Sequence, residues 1–271
     1  MRLEKRKKTQ KIKNMINQTS NIVYHYTDMN ALINILNKER IVLRASNCLY
    51  LNDAKEILEG IESIKRVENN TDITEGAFRS YYITSFSKLY DSLTMWGMYA
   101  ANGFGCSIGF DLNVLGNYYH GYTHCIYGEK DIDQHLNSFL KLCRNGSYVS
   151  FPTNGKSSII KKTEKMISDM VINQYITTCL GAKNENFKFE NEIRCFYANH
   201  DCKKEVNFKT KNGVIIPYIE VEIPKEALKE IIIGPTNKQD LAIQSVLHFL
   251  SINGYDWKKI SVKMSKVPYR G

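Results

Sequence analysis

The chain has 271 residues, 43% hydrophobic and 24% charged, with a formal net charge of +9. This suits a soluble globular chain of one large domain, or at most two small ones. No apolar run approaches bilayer length and the N-terminus lacks a signal-peptide core, so the expectation is a cytoplasmic protein with no membrane contact. Seven scattered cysteines, never at Cys-x-x-Cys spacing, argue against a disulfide frame and a thiolate zinc site.

Residues 1–20 form a basic N-terminal arm. Within residues 1–14, Arg2, Lys5, Arg6, Lys7, Lys8, Lys11 and Lys13 stand against Glu4 alone, which is +6 of the formal +9. Such an arm suits contact with nucleic acid or another polyanion, and it would position rather than specify. A solvated terminus is the commoner use of such a run.

From residue 21 to residue 271 the pattern reads as a single α+β domain, with a helical insertion over about 130–182. Ile22–Tyr26 has the character of a strand. Asp28 offers an N-cap to a helix in which Ala31, Leu32, Ile35 and Leu36 recur at helical spacing. Ile41–Arg44 reads as a strand, and Asn52 or Asp53 caps a helix that buries Ile57, Leu58, Ile61 and Ile64. Residues 81–87 are strand-like, and residues 92–100 a short helix. Gly103 and Gly105 break that helix before a strand over 106–110. Helices are expected over 131–143 and 157–180, separated by the turn signals Asn145-Gly146, Pro152 and Asn154-Gly155. Strands over 187–197, 214–223 and 230–233, a helix over 237–252 and a strand over 259–264 complete the pattern.

Three clusters carry chemistry. In Phe189-Glu190-Asn191-Glu192-Ile193-Arg194, a strand would project Glu190, Glu192 and Arg194 from one face. Charges on an apolar, aromatic strand must pair or do chemistry, so a structural Glu–Arg pair competes with a catalytic one. Tyr24-His25-Tyr26-Thr27 places a histidine among hydrogen-bonding aromatics where a strand gives way to a capped helix. In Thr84-Ser85-Phe86-Ser87, Ser85 and Ser87 share a strand face, ahead of Tyr90, Ser92, Trp96 and Tyr99; Trp96 reads as plain core. Two weaker patterns lose out. His120 and His124 have metal-ligand spacing only on a helix, which their tyrosine- and glycine-rich surroundings disfavour. Asp53 and Glu56 suit a nuclease less well than a capping pair at a helix N-terminus.

The ordered set of Tyr24-His25-Tyr26-Thr27, Leu51-Asn52-Asp53 with Glu56, Ser85-Phe86-Ser87, Met95-Trp96-x-x-Tyr99-Ala100, Gly105, Gly109-Phe110-Asp111, Phe189-Glu190-x-Glu192-x-Arg194, Ile233-Gly234-Pro235 and Ser265-x-x-Pro268-Tyr269-Arg270 resembles a bacterial family catalogued as domain of unknown function 2971. More loosely, a polar residue on the first strand, a Ser-x-Ser strand and a late Glu-x-Glu resemble the ADP-ribosyltransferase superfamily. That resemblance implies a bent-sheet α+β core with flanking helices that binds NAD as substrate. His25, with Tyr26 and Thr27 beside it, would hold the ribose hydroxyls on the nicotinamide side. Ser85 or Ser87 would buttress the catalytic strand, and Tyr90 or Phe86 would stack on nicotinamide. Glu192 would bond the ribose 2′-hydroxyl and stabilise the oxocarbenium-like state as the glycosidic bond breaks. Glu190 would orient or deprotonate the acceptor. The superfamily usually pairs Glu-x-Glu with a leading arginine, whereas here histidine leads.

The resemblance implies an enzyme that transfers ADP-ribose to protein or nucleic acid, or hydrolyses NAD, as a toxin or anti-phage effector. The competing expectation is a non-catalytic binding module within a bacterial defence or regulatory complex, acting through partner proteins. No metal is expected. Convergence of His25, Ser85 and Glu192 on one open cleft would favour the enzyme; Glu190 and Glu192 sealed by arginine would favour the binding module.

Overall fold

Strand and helix alternate along the chain much as the residue patterns dictate. The computed structural model describes residues 21–36, 39–51, 55–68, 72–144 and 157–268. The basic arm, Asn52, Asp53, Tyr269, Arg270 and the turn segment from Asn145 to Gly155 lie outside the described residues.

In chain order the elements are β1 (Ile22–Thr27), α1 (Met29–Ile35), β2 (Ile41–Asn47), α2 (Glu56–Val67), β3 (Tyr81–Ser87), α3 (Leu93–Tyr99), β4 (Cys106–Asp111), β5 (Gly121–His124), β6 (Ile126–Tyr127), α4 (Glu129–Arg144), α5 (Ser157–Gly181), β7 (Ala182–Lys183), β8 (Glu192–Ala198), β9 (Asn207–Lys211), β10 (Val214–Ile223), β11 (Leu228–Ile233), α6 (Gln239–Ile252) and β12 (Ser261–Met264). Asp28 caps α1 as expected, its side chain accepting from the Ala31 amide at 2.7 Å.

One expected strand is corrected. Glu185–Glu190 is a short 3-10 helix, Asn191 is left-handed at φ 44°, and extended structure begins only at Glu192. The Asn184 side chain accepts from the Asn186 amide and starts this turn, and Asn191, a residue that tolerates the left-handed region, ends it. Glu190 and Glu192 are therefore not strand neighbours. Strands β5, β6, β7 and β9 are additions to the elements expected from the residue pattern.

The chain divides into two compact units, Met1–Val42 with Phe86–Tyr118 and Glu222–Gly271, and Leu43–Ser85 with Tyr119–Val221. In the first unit β12, β11, β4 and β1 lie side by side. β1 runs antiparallel to β4, from Ile22 opposite Asp111 to Thr27 opposite Cys106. β11 is antiparallel to β4 and parallel to β12, a parallel pair joined through the crossover helix α6. The alternation of β1 sends Tyr24 and Tyr26 to one face, where they pack with Met95, Trp96, Ala100 and Ile232. Trp96 is fully buried core, as its sequence context suggests.

In the second unit β5 pairs antiparallel with β8, β8 also pairs with β3, and β3 pairs with β2. β10 follows β2, with β9 as its hairpin partner. Helices α2, α4 and α5 bury Ile57, Ile61, Ile64, Ile132, Leu136 and Cys179 against one another and the sheet. The α2–α5 crossing depends on Gly60, where a Cβ would lie 2.5 Å from the Cys179 Cα. The parallel pair β6–β7 sets Tyr127 beside Lys183.

Candidate functional site

The second unit holds a centre of five charges from three separated stretches of chain. Glu56 stands in the first turn of α2, Lys183 on β7 just beyond the end of α5, Glu190 at the end of the 3-10 helix, and Glu192 and Arg194 on β8. Each is at most 5% exposed.

The pairing is dense. Lys183 Nζ donates to Glu190 Oε2 at 2.5 Å and Glu192 Oε2 at 2.6 Å, and lies 3.6 Å from Glu56 Oε1. The Arg194 guanidinium reaches Glu192 Oε1 through Nε at 3.0 Å, and Glu56 Oε2 through Nη2 at 2.6 Å. Its Nη1 donates to the Leu180 carbonyl at 2.9 Å. That carbonyl belongs to the last turn of α5, where the helix dipole favours a cation, and Glu56 sits where the dipole of α2 favours an anion. The Tyr127 hydroxyl accepts from the Glu192 amide at 2.7 Å, and Cys125 Sγ donates to Glu192 Oε2 at 3.4 Å.

Three carboxylates oppose two cations, so full ionisation would leave one negative charge in the interior. Burial works against ionised Glu192, but Arg194 and Lys183 outweigh it and hold the carboxyl at about 2. For Glu56 burial prevails over the same two cations and the carboxyl is pushed up. The surplus proton therefore favours Glu56 over Glu192. Desolvation opposes the charge on Lys183 and Arg194 as well, yet their carboxylate partners raise both. In chemical terms the centre is saturated: both oxygens of Glu192 face internal cations.

The other candidate residues named from the sequence divide between the units. In the first unit His25 is partly buried, its ring 5.9 Å from Phe86 in an edge contact. Phe86 is itself 2% exposed and lies edge-on to Phe110, so its ring surface is already covered. The Tyr26 hydroxyl donates to the Leu89 carbonyl at 2.8 Å and accepts from the Ser92 amide at 3.1 Å. Ser87 Oγ accepts from the Leu89 amide at 3.0 Å, and Thr27 is buried at the end of β1. Tyr90 is half exposed, with Lys263 Nζ 5.3 Å from its ring centre. In the second unit Ser85 is partly buried on β3 beside β8.

His120 precedes strand β5 and His124 is its last residue, and along a strand residues four apart are separated by about 13 Å. His120 Nδ1 accepts from the Ala198 amide at 2.8 Å. Among the described residues no group of three or more His, Cys, Asp or Glu side chains could hold a metal ion.

The sequence pattern does not single out Lys183, which lies in no motif, and it assigns Glu56 to helix capping where the structure makes it a partner of Arg194. It also passes over a first-unit cluster in which Tyr24 donates to Glu230 Oε1 at 2.5 Å and Lys263 pairs with Glu230 Oε2 at 2.6 Å. Gly109 makes that meeting feasible, since a Cβ there would lie 2.7 Å from Glu230 Cγ. Asp91 links three further groups, accepting from Trp96 Nε1 at 2.7 Å, Ser265 Oγ at 2.6 Å and the Lys266 amide at 2.8 Å.

These features define a mixed α+β protein with a largely antiparallel sheet. Residues 95–195 match the family described as Protein of unknown function (DUF2971). No curated protein and no solved structure gives a match. No helix among the described residues is long and apolar enough to cross a membrane.

Proposed function

We propose that the chain is a binding module in which the Glu56–Lys183–Glu190–Glu192–Arg194 centre is a structural clasp rather than a catalytic group. The observation that carries this reading is the saturation of Glu192. Its side chain is 4% exposed, and both carboxylate oxygens lie within 3.0 Å of internal cations. A carboxylate that stabilises developing charge on a ribose must face the sugar, and buried charges are held in place by the partners they already have.

A second reading is favoured by one observation. The Ser-x-Ser strand β3 pairs with β8, which carries Glu192, and this is the neighbour that an ADP-ribosyltransferase-like layout assigns to it. On that reading NAD is the substrate, and Glu192 is exposed only after Lys183 and Arg194 release it.

Nicotinamide release from NAD by the purified full chain separates the two readings, measured with and without protein lysate or DNA as acceptor. The expected result is no release. Release by the wild type that is lost in His25→Ala, a change away from the clasp, would overturn the binding reading and establish the NAD-cleaving one.

A further inference from the structure

We propose that the face shared by β2, β10 and β9 carries a binding site for a phosphate group, formed by Lys209, Lys211 and Arg44 around the ring of Tyr218. The inference gives the binding reading a ligand class, and it does not depend on whether Glu192 is catalytic.

Strand geometry assembles the site. Lys209 and Lys211 are two apart on β9 and share a face, as do Arg44 and Ser46 on β2. Lys209 pairs with Ile216, so Tyr218, two residues along β10, lies on that face as well. Lys209 Nζ is 5.8 Å from the Tyr218 ring centre and donates to Ser46 Oγ at 2.9 Å. The Arg44 guanidinium lies 4.9 Å from the same ring. The two cations cover Tyr218, which is only 8% exposed.

Lys209 carries the charge that calls for an anion. Its ammonium is half buried, with a neutral hydroxyl, an aromatic ring and two further cations around it. Burial, then Lys211 and Arg44, pushes it down from the ordinary lysine value. Arg44 has Glu220 at 3.8 Å, a long and solvated contact. A buried ammonium is stable next to an anion, and the groups that act on this one among the described residues are neutral or positive. A phosphate supplies that anion. It accepts from ammonium groups as point charges and from a guanidinium fork in a bidentate fashion, and Ser46 adds a hydroxyl. Because the Tyr218 ring is already covered, the site recognises the phosphate and offers no platform for a stacked base.

The phosphate could belong to a small ester or to a nucleic-acid backbone, and two titrations of the full chain distinguish these. One follows inorganic phosphate by calorimetry. The other follows a labelled single-stranded oligonucleotide by fluorescence anisotropy at several salt concentrations. Wild type is expected to bind, with affinity reduced about tenfold or more in Lys209→Met and in Arg44→Met. If the oligonucleotide is the ligand form, each variant lowers the salt slope by about 0.7 for every backbone phosphate it no longer neutralises. Binding of phosphate without the oligonucleotide identifies a small ester. Lys209→Met is expected to melt at or above the wild-type temperature, since it removes a repelled charge and keeps the stem. Failure of wild type to bind either probe, equal binding by wild type and both variants, or a marked fall in melting temperature for Lys209→Met would each overturn the site. None of these outcomes bears on nicotinamide release, so the two proposals fail separately.

Discussion

At the scale of single residues, Glu192 and Glu56 show how one pair of cations gives two carboxyls opposite behaviour. The Glu192 carboxyl is held at about 2 against an ordinary 4.5. Its ionised form therefore stabilises the fold at every pH above the ordinary value, and that contribution is lost as pH falls from 4.5 toward 2. Glu56 has the reverse sign. Its raised carboxyl favours the protonated form in the fold, so its contribution is present below the ordinary value and lost as pH rises through the raised one. Urea unfolding of wild type across this acid range should show a fall in stability that is flattened in Glu192→Gln. An unchanged slope in that variant would mean that other carboxylates govern the acid limb. Glu192→Gln also breaks the buried ion pairs of Glu192 with Lys183 and Arg194, a loss worth about 3–5 kcal/mol even though Glu56 and Glu190 remain beside the two cations. Loss of any activity in that variant is therefore no proof of a catalytic role, which is why His25→Ala accompanies the nicotinamide assay.

At the scale of elements, the helix pair α2–α5 and the hairpin β9–β10 each depend on a glycine, for different reasons. Gly60 provides closeness: a Cβ would meet the Cys179 backbone at 2.5 Å, so Gly60→Ala forces the two helices apart. The expected cost is about 1–3 kcal/mol, as for overpacking elsewhere, read as a lower midpoint in denaturant unfolding. A midpoint equal to wild type would show that the crossing is looser than its geometry. Gly213 provides handedness. Asn212 at φ 52° and Gly213 at φ 77° form the tight turn that joins β9 to β10, and a Cβ on Gly213 would meet nothing within 4 Å. That Asn-Gly pair between strand-forming residues is the one local signal that points to β9. Helix periodicity and the strand character of 214–223 are readable because they are local. The break at Asn191 is not, since Glu-x-Glu looks the same in a strand and across a left-handed kink. The partnership of Glu56 with Arg194, 138 residues apart, has no local trace at all.

At the scale of the whole molecule, both units are built from discontinuous stretches of chain. The second unit needs Leu43–Ser85 for α2 and Glu56 together with Tyr119–Val221 for Lys183 and Arg194. The family match over residues 95–195 starts within α3, in the first unit, and ends within β8, in the second. It is therefore a stretch of sequence and not a folding unit. A fragment limited to 95–195 lacks β1 and β11, the partners of β4, and it lacks α2, which covers α5. It should show no cooperative melting transition by calorimetry, whereas a sharp transition would mean that the units are delimited otherwise. The residue motifs of β1, β3 and β8 announce where chemistry-bearing side chains lie along the chain. They do not announce that Glu192 meets its cations in the interior, because Lys183 reaches it from a two-residue strand without a motif.

Strand β8 is buried on both sides, so hydrophobicity alone says little about how it should align with β5. Glu192 and Arg194 alternate with Ile193 and Cys195, and a slip of one residue would exchange the two sets. Arg194 would then be thrust among apolar side chains, and Lys183 and Glu56 would be left facing Ile193 and Cys195. Any misaligned state carries stranded charge, and only one alignment neutralises it. The clasp thus acts as a proofreading key for the sheet, rejecting wrong pairings more strongly than it rewards the right one.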